Sequence, residues 1–107
     1  MENTTEQGKT LAIVSYLTII GTIIAIIQNS ENKNTFASFH IRQALGLSLL
    51  FMLLGTLVSG FDSWAVTGPF YLFFFALWVY GLIGAIQGRM TLIPFLGPFF
   101  QNLFKSL

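Results

Sequence analysis

The stretch Leu11-Ala12-Ile13-Val14-Ser15-Tyr16-Leu17-Thr18-Ile19-Ile20-Gly21-Thr22-Ile23-Ile24-Ala25-Ile26-Ile27 decides how this chain is read. It is uncharged from end to end. A bilayer core about 30 Å thick takes roughly twenty residues of helix, with about 17 as the lower limit. A strand reading fails, because the run is too long and an open sheet would leave backbone groups unpaired in lipid. The reading is therefore a membrane-spanning helix over about residues 10–28. Ser15, Thr18, Thr22, Ala25 and Asn29 recur at alternating spacings of three and four, which draws one small, polar seam down a helix face. In a membrane such a seam is where a second helix approaches closely and hydroxyls find partners. Ahead of it, Met1 to Gly8 reads as a flexible tail. Glu2 and Glu6 before the single Lys9 make no basic n-region, so the span reads as retained and not as a cleaved signal.

Composition agrees with lipid as the main solvent. Hydrophobic residues make up 54% of the 107 and charged residues only 8%, and the mean hydropathy is +0.74. Soluble domains carry roughly a quarter charged residues, because a water-facing surface needs them. One small domain, residues 1–107, fits this length. A net charge of +1 without a Lys/Arg cluster gives no nucleic-acid signal. With no cysteine, disulfides, thiolate metal sites and a cysteine nucleophile are excluded.

Beyond the first span, Asn29 to Ser38 is a polar loop, and Ser38 can cap the next helix. The second span covers about residues 39–59. His40, Ala44, Ser48, Met52, Gly55 and Ser59 drift along one of its faces, with Gln43 beside His40 and Arg42 about 200° around. His40 and Gln43 are thus candidates for contact with a partner or with the bundle. Arg42 is a candidate anchor for lipid headgroups. Gly60 to Gly68 forms the second connector, with Asp62 or Ser63 as a possible cap and Trp64 suited to headgroup level. A third span over about residues 69–87 starts at Pro69, a favoured first-turn residue. It is aromatic in its first half and small in its second, where Gly81, Ala85, Gly84 and Gly88 allow close backbone approach. The last stretch is amphipathic at helical spacing from Phe99 to Leu107 and too short to span, so about residues 95–107 read as an interfacial or dipping helix. Arg89 and Lys105 join Arg42 as candidate headgroup contacts. Four cations on one side against Lys9 on the other predict an outside N-terminus, with the first loop and C-terminus in the cytoplasm.

The opening of the second span, Phe39-His40-Ile41-Arg42-Gln43-Ala44-Leu45, has counterparts elsewhere. Together with Leu-Ala-Ile-Val-Ser-Tyr-Leu-Thr in the first span and the later Gly84-Ala85-Ile86-Gln87-Gly88 and Ile93-Pro94-Phe95-Leu96-Gly97, it resembles a family of small bacterial and archaeal membrane proteins. That family is related to the twenty-kilodalton membrane subunit of the chloroplast inner-envelope protein translocon. The similarity covers roughly Lys9 to Gly97, and the His-x-x-Gln-Ala run is its most specific part. The plastid members are proposed to contribute to a preprotein-conducting complex and have four helices. The prokaryotic members are mostly of unknown function.

The expected architecture is thus an all-α membrane protein with three transmembrane helices and a short amphipathic C-terminal helix. Its location is the inner (plasma) membrane, as a multi-pass protein. The resemblance implies a non-enzymatic translocon component or accessory subunit of a larger complex. Partners would be membrane lipid and other membrane proteins or further copies, with no nucleic acid. One histidine and no paired carboxylates give no catalytic constellation, metal site or cofactor site. Ser15, Thr18, Thr22, Ala25, Ala44, Ser48, Gly55, Gly81, Gly84 and Gly88 are the expected helix-packing residues. The alternative is a small oligomeric channel or carrier with the hydroxyl seam along its path.

Overall fold

A computed structural model describes residues 4–31, 33–94 and 96–107, with side chains from residue 8 onward. Five helices follow one another: α1 (Thr4–Leu17), α2 (Ile19–Glu31), α3 (Thr35–Val58), α4 (Trp64–Ile86) and α5 (Gly97–Leu103). No strand occurs among the described residues. The expected tail is helical from Thr4, while Met1–Asn3 lie outside the described residues.

The first apolar segment is two helices and not one span. Thr18 interrupts it, and its hydroxyl accepts a hydrogen bond from the Gly21 amide at 3.1 Å. That is the N-cap arrangement, three residues into the new helix. The Thr22 hydroxyl donates back across the turn to the Ser15 carbonyl at 2.6 Å, satisfying one of the carbonyls that the end of α1 leaves open. Trp78 Nε1 on α4 donates to a second, the Tyr16 carbonyl. Gly21 sits against the Val14 carbonyl so closely that a Cβ there would overlap it. Leu11 and Ile26 pack against one cluster, and a Cβ on Gly8 would overlap the Asn34 side chain. The two helices therefore form a hairpin, with residues 8 and 34 side by side. The expectation that Lys9 and the first loop lie at opposite ends is overturned.

Two helices, α3 and α4, are long and apolar enough to cross a membrane, not three. At about 1.5 Å per residue they reach roughly 35 Å, whereas α1 and α2 reach roughly 20 Å each. Both long helices start earlier than the sequence reading placed them. Asn34, not Ser38, caps α3, accepting from the Ala37 amide at 3.0 Å. Ser63 caps α4, so Pro69 falls inside that helix and not at its start. Gly88 ends α4: its φ is 75°, with Arg89 N bonded to Gly84 O at 2.8 Å and Gly88 N to Ala85 O at 3.2 Å. This is the two-bond termination in which a left-handed residue is nearly always glycine.

The core is confined to one half of a molecule 54 Å long. On α3 the buried residues run from Phe36 to Leu47, and on α4 from Phe74 to Ala85. The hairpin lies against this half. The last segment is packed and not free: Phe100 fills the space over Gly46, where a Cβ would overlap its ring. Gln101 Nε2 donates to the Phe39 carbonyl at 2.8 Å. Of the helix expected over about 95–107 only Gly97–Leu103 is α-helix, and Phe95 lies outside the described residues. Beyond the hairpin's tip α3 and α4 stand alone, joined by ring contacts such as Phe51–Phe70 at 5.6 Å and Phe51–Phe74 at 5.4 Å.

Candidate functional site

The His-x-x-Gln-Ala run lies in the first turns of α3, and the fold brings two other segments onto it. Tyr16 arrives from α1. The irregular chain after α4, residues 89–93, runs alongside with backbone groups that no helix satisfies. Such groups need partners wherever water is excluded. His40 and Gln43 supply them.

The bonds close into one network. His40 Nε2 lies 2.7 Å from the Arg89 carbonyl. A carbonyl only accepts, so Nε2 carries the proton and Nδ1 is an acceptor. The Tyr16 hydroxyl, 2.8 Å from Nδ1, therefore donates to it. That hydroxyl accepts in turn from Gln43 Nε2 at 3.0 Å. The second Gln43 proton goes to the Thr91 carbonyl at 3.2 Å, while Gln43 Oε1 accepts from the Ile93 amide at 2.7 Å. The Gln43 amide thus pairs with both backbone groups flanking Leu92, as a neighbouring strand would. His40 and Gln43 are each 0% exposed. The rings of Phe36, Phe39 and Tyr16 meet the imidazole edge-on at 4.8, 5.1 and 5.5 Å.

Small residues let these elements meet. Ala44 is buried in the cluster containing Tyr16, Phe36 and Ala85. On α4, a Cβ at Gly81 would come within 2.7 Å of the Tyr16 ring, and one at Gly84 would overlap the Thr91 hydroxyl. Gly97 is held similarly, its Cβ position being 3.1 Å from Gln43 Oε1.

Chemically, the network is complete. Every ring nitrogen and amide atom of His40 and Gln43 is engaged within the chain, so neither offers a surface to a partner. The partner-contact expectation for these two residues is therefore replaced by an internal clamp. Among the described residues no group of His, Asp or Glu is placed to hold a metal ion. Tyr16 escaped notice because it sits in an apolar run. The available signal was chemical, since a buried phenol needs a hydrogen-bond partner.

Ser15, Thr22, Ala25 and Asn29 are buried, but Thr18 is exposed at the hairpin turn. Ser15 donates to the Ala12 carbonyl at 2.6 Å. Asn29 bridges the loop, donating to Ser38 Oγ at 2.8 Å and accepting from the Asn34 amide at 2.9 Å. Ser48 and Gly55 are half-buried. Arg42 is half-buried on the side away from His40 and holds the C-terminal segment, through Gln101 Oε1 at 3.3 Å and the Lys105 carbonyl at 3.0 Å. The side chains of Arg89 and Lys105 are exposed.

Two hollows remain. One, of about 450 Å³, opens beneath the hairpin tip between Leu17, Thr18, Ser48, Phe51, Phe75 and Trp78. The other, of about 260 Å³, lies between the start of α3 and the C-terminal segment. In comparisons with known proteins the chain matches no family model, no curated protein and no solved structure.

Proposed function

We propose that this chain is a non-enzymatic integral membrane protein that serves as a small subunit or accessory of a larger membrane complex. In this reading α3 and α4 cross the bilayer, and α1–α2 is a re-entrant hairpin that enters and leaves by the same face. The observation that carries the proposal is the division of the molecule into a closed half and a bare one. Leu49, Leu53 and Leu57 on α3, and Tyr71, Leu72 and Phe73 on α4, are all exposed. Apolar surface on that scale calls for lipid or another protein. The hairpin backbone, meanwhile, has its freed carbonyls met by Thr22 and Trp78, a condition for irregular structure at membrane depth.

Charge supports an orientation. Lys33 bonds to Ser106, Arg42 to Gln101, and the Arg89 carbonyl to His40, while Lys9 follows Gly8, which abuts Asn34. All five cations of the chain therefore gather at one end, and the connector at the other end carries Asp62. Cation excess marks the cytoplasmic face. Both the N-terminal helix and the C-terminal segment then start from the cytoplasm, and the Gly60–Ser63 connector lies outside. The sequence resemblance to the plastid translocon family is compatible with an accessory role of this kind.

In this reading the hydroxyl seam behind the channel or carrier alternative serves the fold. Ser15 and Thr22 donate their protons to backbone carbonyls, and Thr18 caps α2. Photo-crosslinking in native membranes tests the subunit reading, with the reactive group at Leu53 or Leu72. Discrete protein adducts at these positions are expected. Adducts to lipid alone would contradict it.

A further inference from the structure

We infer that the hollow beside the N-terminal turns of α3 is a binding site for an anionic phosphate group. Its cationic wall is formed by Lys33 from the loop, Arg42 from α3 and Lys105 from the C-terminal segment. Three of the chain's five cations thus converge on about 260 Å³ from three separate stretches of sequence. No carboxylate side chain lines the hollow; the main-chain carboxylate of Leu107 lies at its edge and leaves the three cations in excess.

The hydrogen bonds that hold this wall together leave its charge only partly compensated. Lys33 Nζ donates to the Ser106 carbonyl at 2.5 Å, and the Arg42 guanidinium to the Lys105 carbonyl and the Gln101 amide oxygen. All of these acceptors are neutral. Arg42 Nε is buried and has no hydrogen-bond partner. A buried donor left unpaired is costly, more so when it belongs to a charged group. Like charges brought to one site repel, and an anion between them offsets that repulsion. Phosphate suits this wall because a guanidinium presents parallel donors to two of its oxygens, while ammonium groups add compact charge. Ser38 takes no direct part: its hydroxyl accepts from Asn29 and donates to a main-chain carboxyl oxygen of Leu107, fixing the floor of the site.

The same chemistry is offered by a phospholipid headgroup and by free phosphate. The lipid source rests on the membrane reading above, because it needs the hollow to lie at headgroup depth. The free source does not. Thermal unfolding of the purified full chain in a neutral detergent separates them, with phosphatidylglycerol, phosphatidylcholine or inorganic phosphate added. Stabilisation by phosphatidylglycerol but not by phosphatidylcholine or phosphate identifies the lipid headgroup. Equal stabilisation by inorganic phosphate identifies the free anion. The K33Q/K105Q double variant changes two exposed side chains, and its apparent affinity is expected to fall roughly tenfold or more, about the loss of one charge-assisted bond. R42Q should show the same loss, though it also loosens α5. R89Q removes an exposed cation from the same end but outside the hollow, and should bind as the parent does. The inference is overturned if neither anion shifts unfolding, or if R89Q weakens binding as much as K33Q/K105Q. Failure of the membrane reading is visible separately, as recovery of the chain in the supernatant after carbonate washing. The phosphate arm can then be run on that soluble protein.

Discussion

A fully buried imidazole is stable only when both ring nitrogens have partners and the proton sits on the correct one. His40 meets this through the Arg89 carbonyl and the Tyr16 hydroxyl, and Gln43 completes the ring of bonds. Replacing His40 with Ala leaves that carbonyl and hydroxyl unpaired and opens a cavity. Destabilisation of roughly 2–4 kcal/mol is expected, measured by denaturant unfolding in detergent. Tyr16→Phe removes only the hydroxyl and should cost about 1–3 kcal/mol. Because both changes break the same network, their effects should be less than additive in a double-mutant cycle. Simple additivity would show that the two side chains act independently. The sequence marked His40 and Gln43 as unusual, since polar groups opening an apolar run need a reason. Their role was not legible, because the groups they hold are backbone atoms about fifty residues away, which carry no side-chain signature. Arg42 was legible in direction but not in partner, for the same reason: Gln101 and Lys105 reach it only through the packed C-terminal segment.

For the helices, the difficulty lay in a pattern with two meanings. Ser15, Thr18 and Thr22 at spacings of three and four mark one face of a continuous helix. They also provide an N-cap and a back-bonding hydroxyl around a turn. Only tertiary contact decides, and here Gly21 against Val14 and Trp78 against Tyr16 favour the turn. Gly21→Ala places a methyl on the Val14 carbonyl, and should destabilise the hairpin by about 1–3 kcal/mol. Thr18→Ala loses the cap alone, about 1 kcal/mol. The unfolding midpoints of the two variants check this order. At the other end of the chain, Gly46→Ala puts a methyl into the Phe100 ring. Limited proteolysis should then cut within residues 97–107 faster than in the parent while leaving α1–α4 intact. Unchanged cleavage would show that α5 does not depend on the Gly46 notch. The packing role of Gly81 and Gly84 in the sequence reading follows a simpler rule, because small residues one turn apart admit a neighbour whatever the neighbour is.

The whole molecule is helical and apolar, and both features were readable from composition and hydropathy. The number of helices long enough to cross a membrane was not. A hydropathy window responds to apolar length alone, and a hairpin of two short helices is as apolar as one span. The fold-back brings Lys9 to the same end of the molecule as the first loop, where the other four cations also lie. Its tip stops partway along the α3–α4 pair and leaves the far half bare. The proposed re-entrant topology is the central claim, and the absence of cysteine makes it directly measurable, since any cysteine introduced is the only thiol. Single cysteines at Lys9, Lys33 and Asp62 can be labelled from each side of sealed membrane vesicles with a reagent that does not cross the bilayer. The account predicts that positions 9 and 33 react from the same side and position 62 from the opposite one. Labelling of positions 9 and 33 from opposite sides would mean that the first segment crosses the bilayer, and would contradict it.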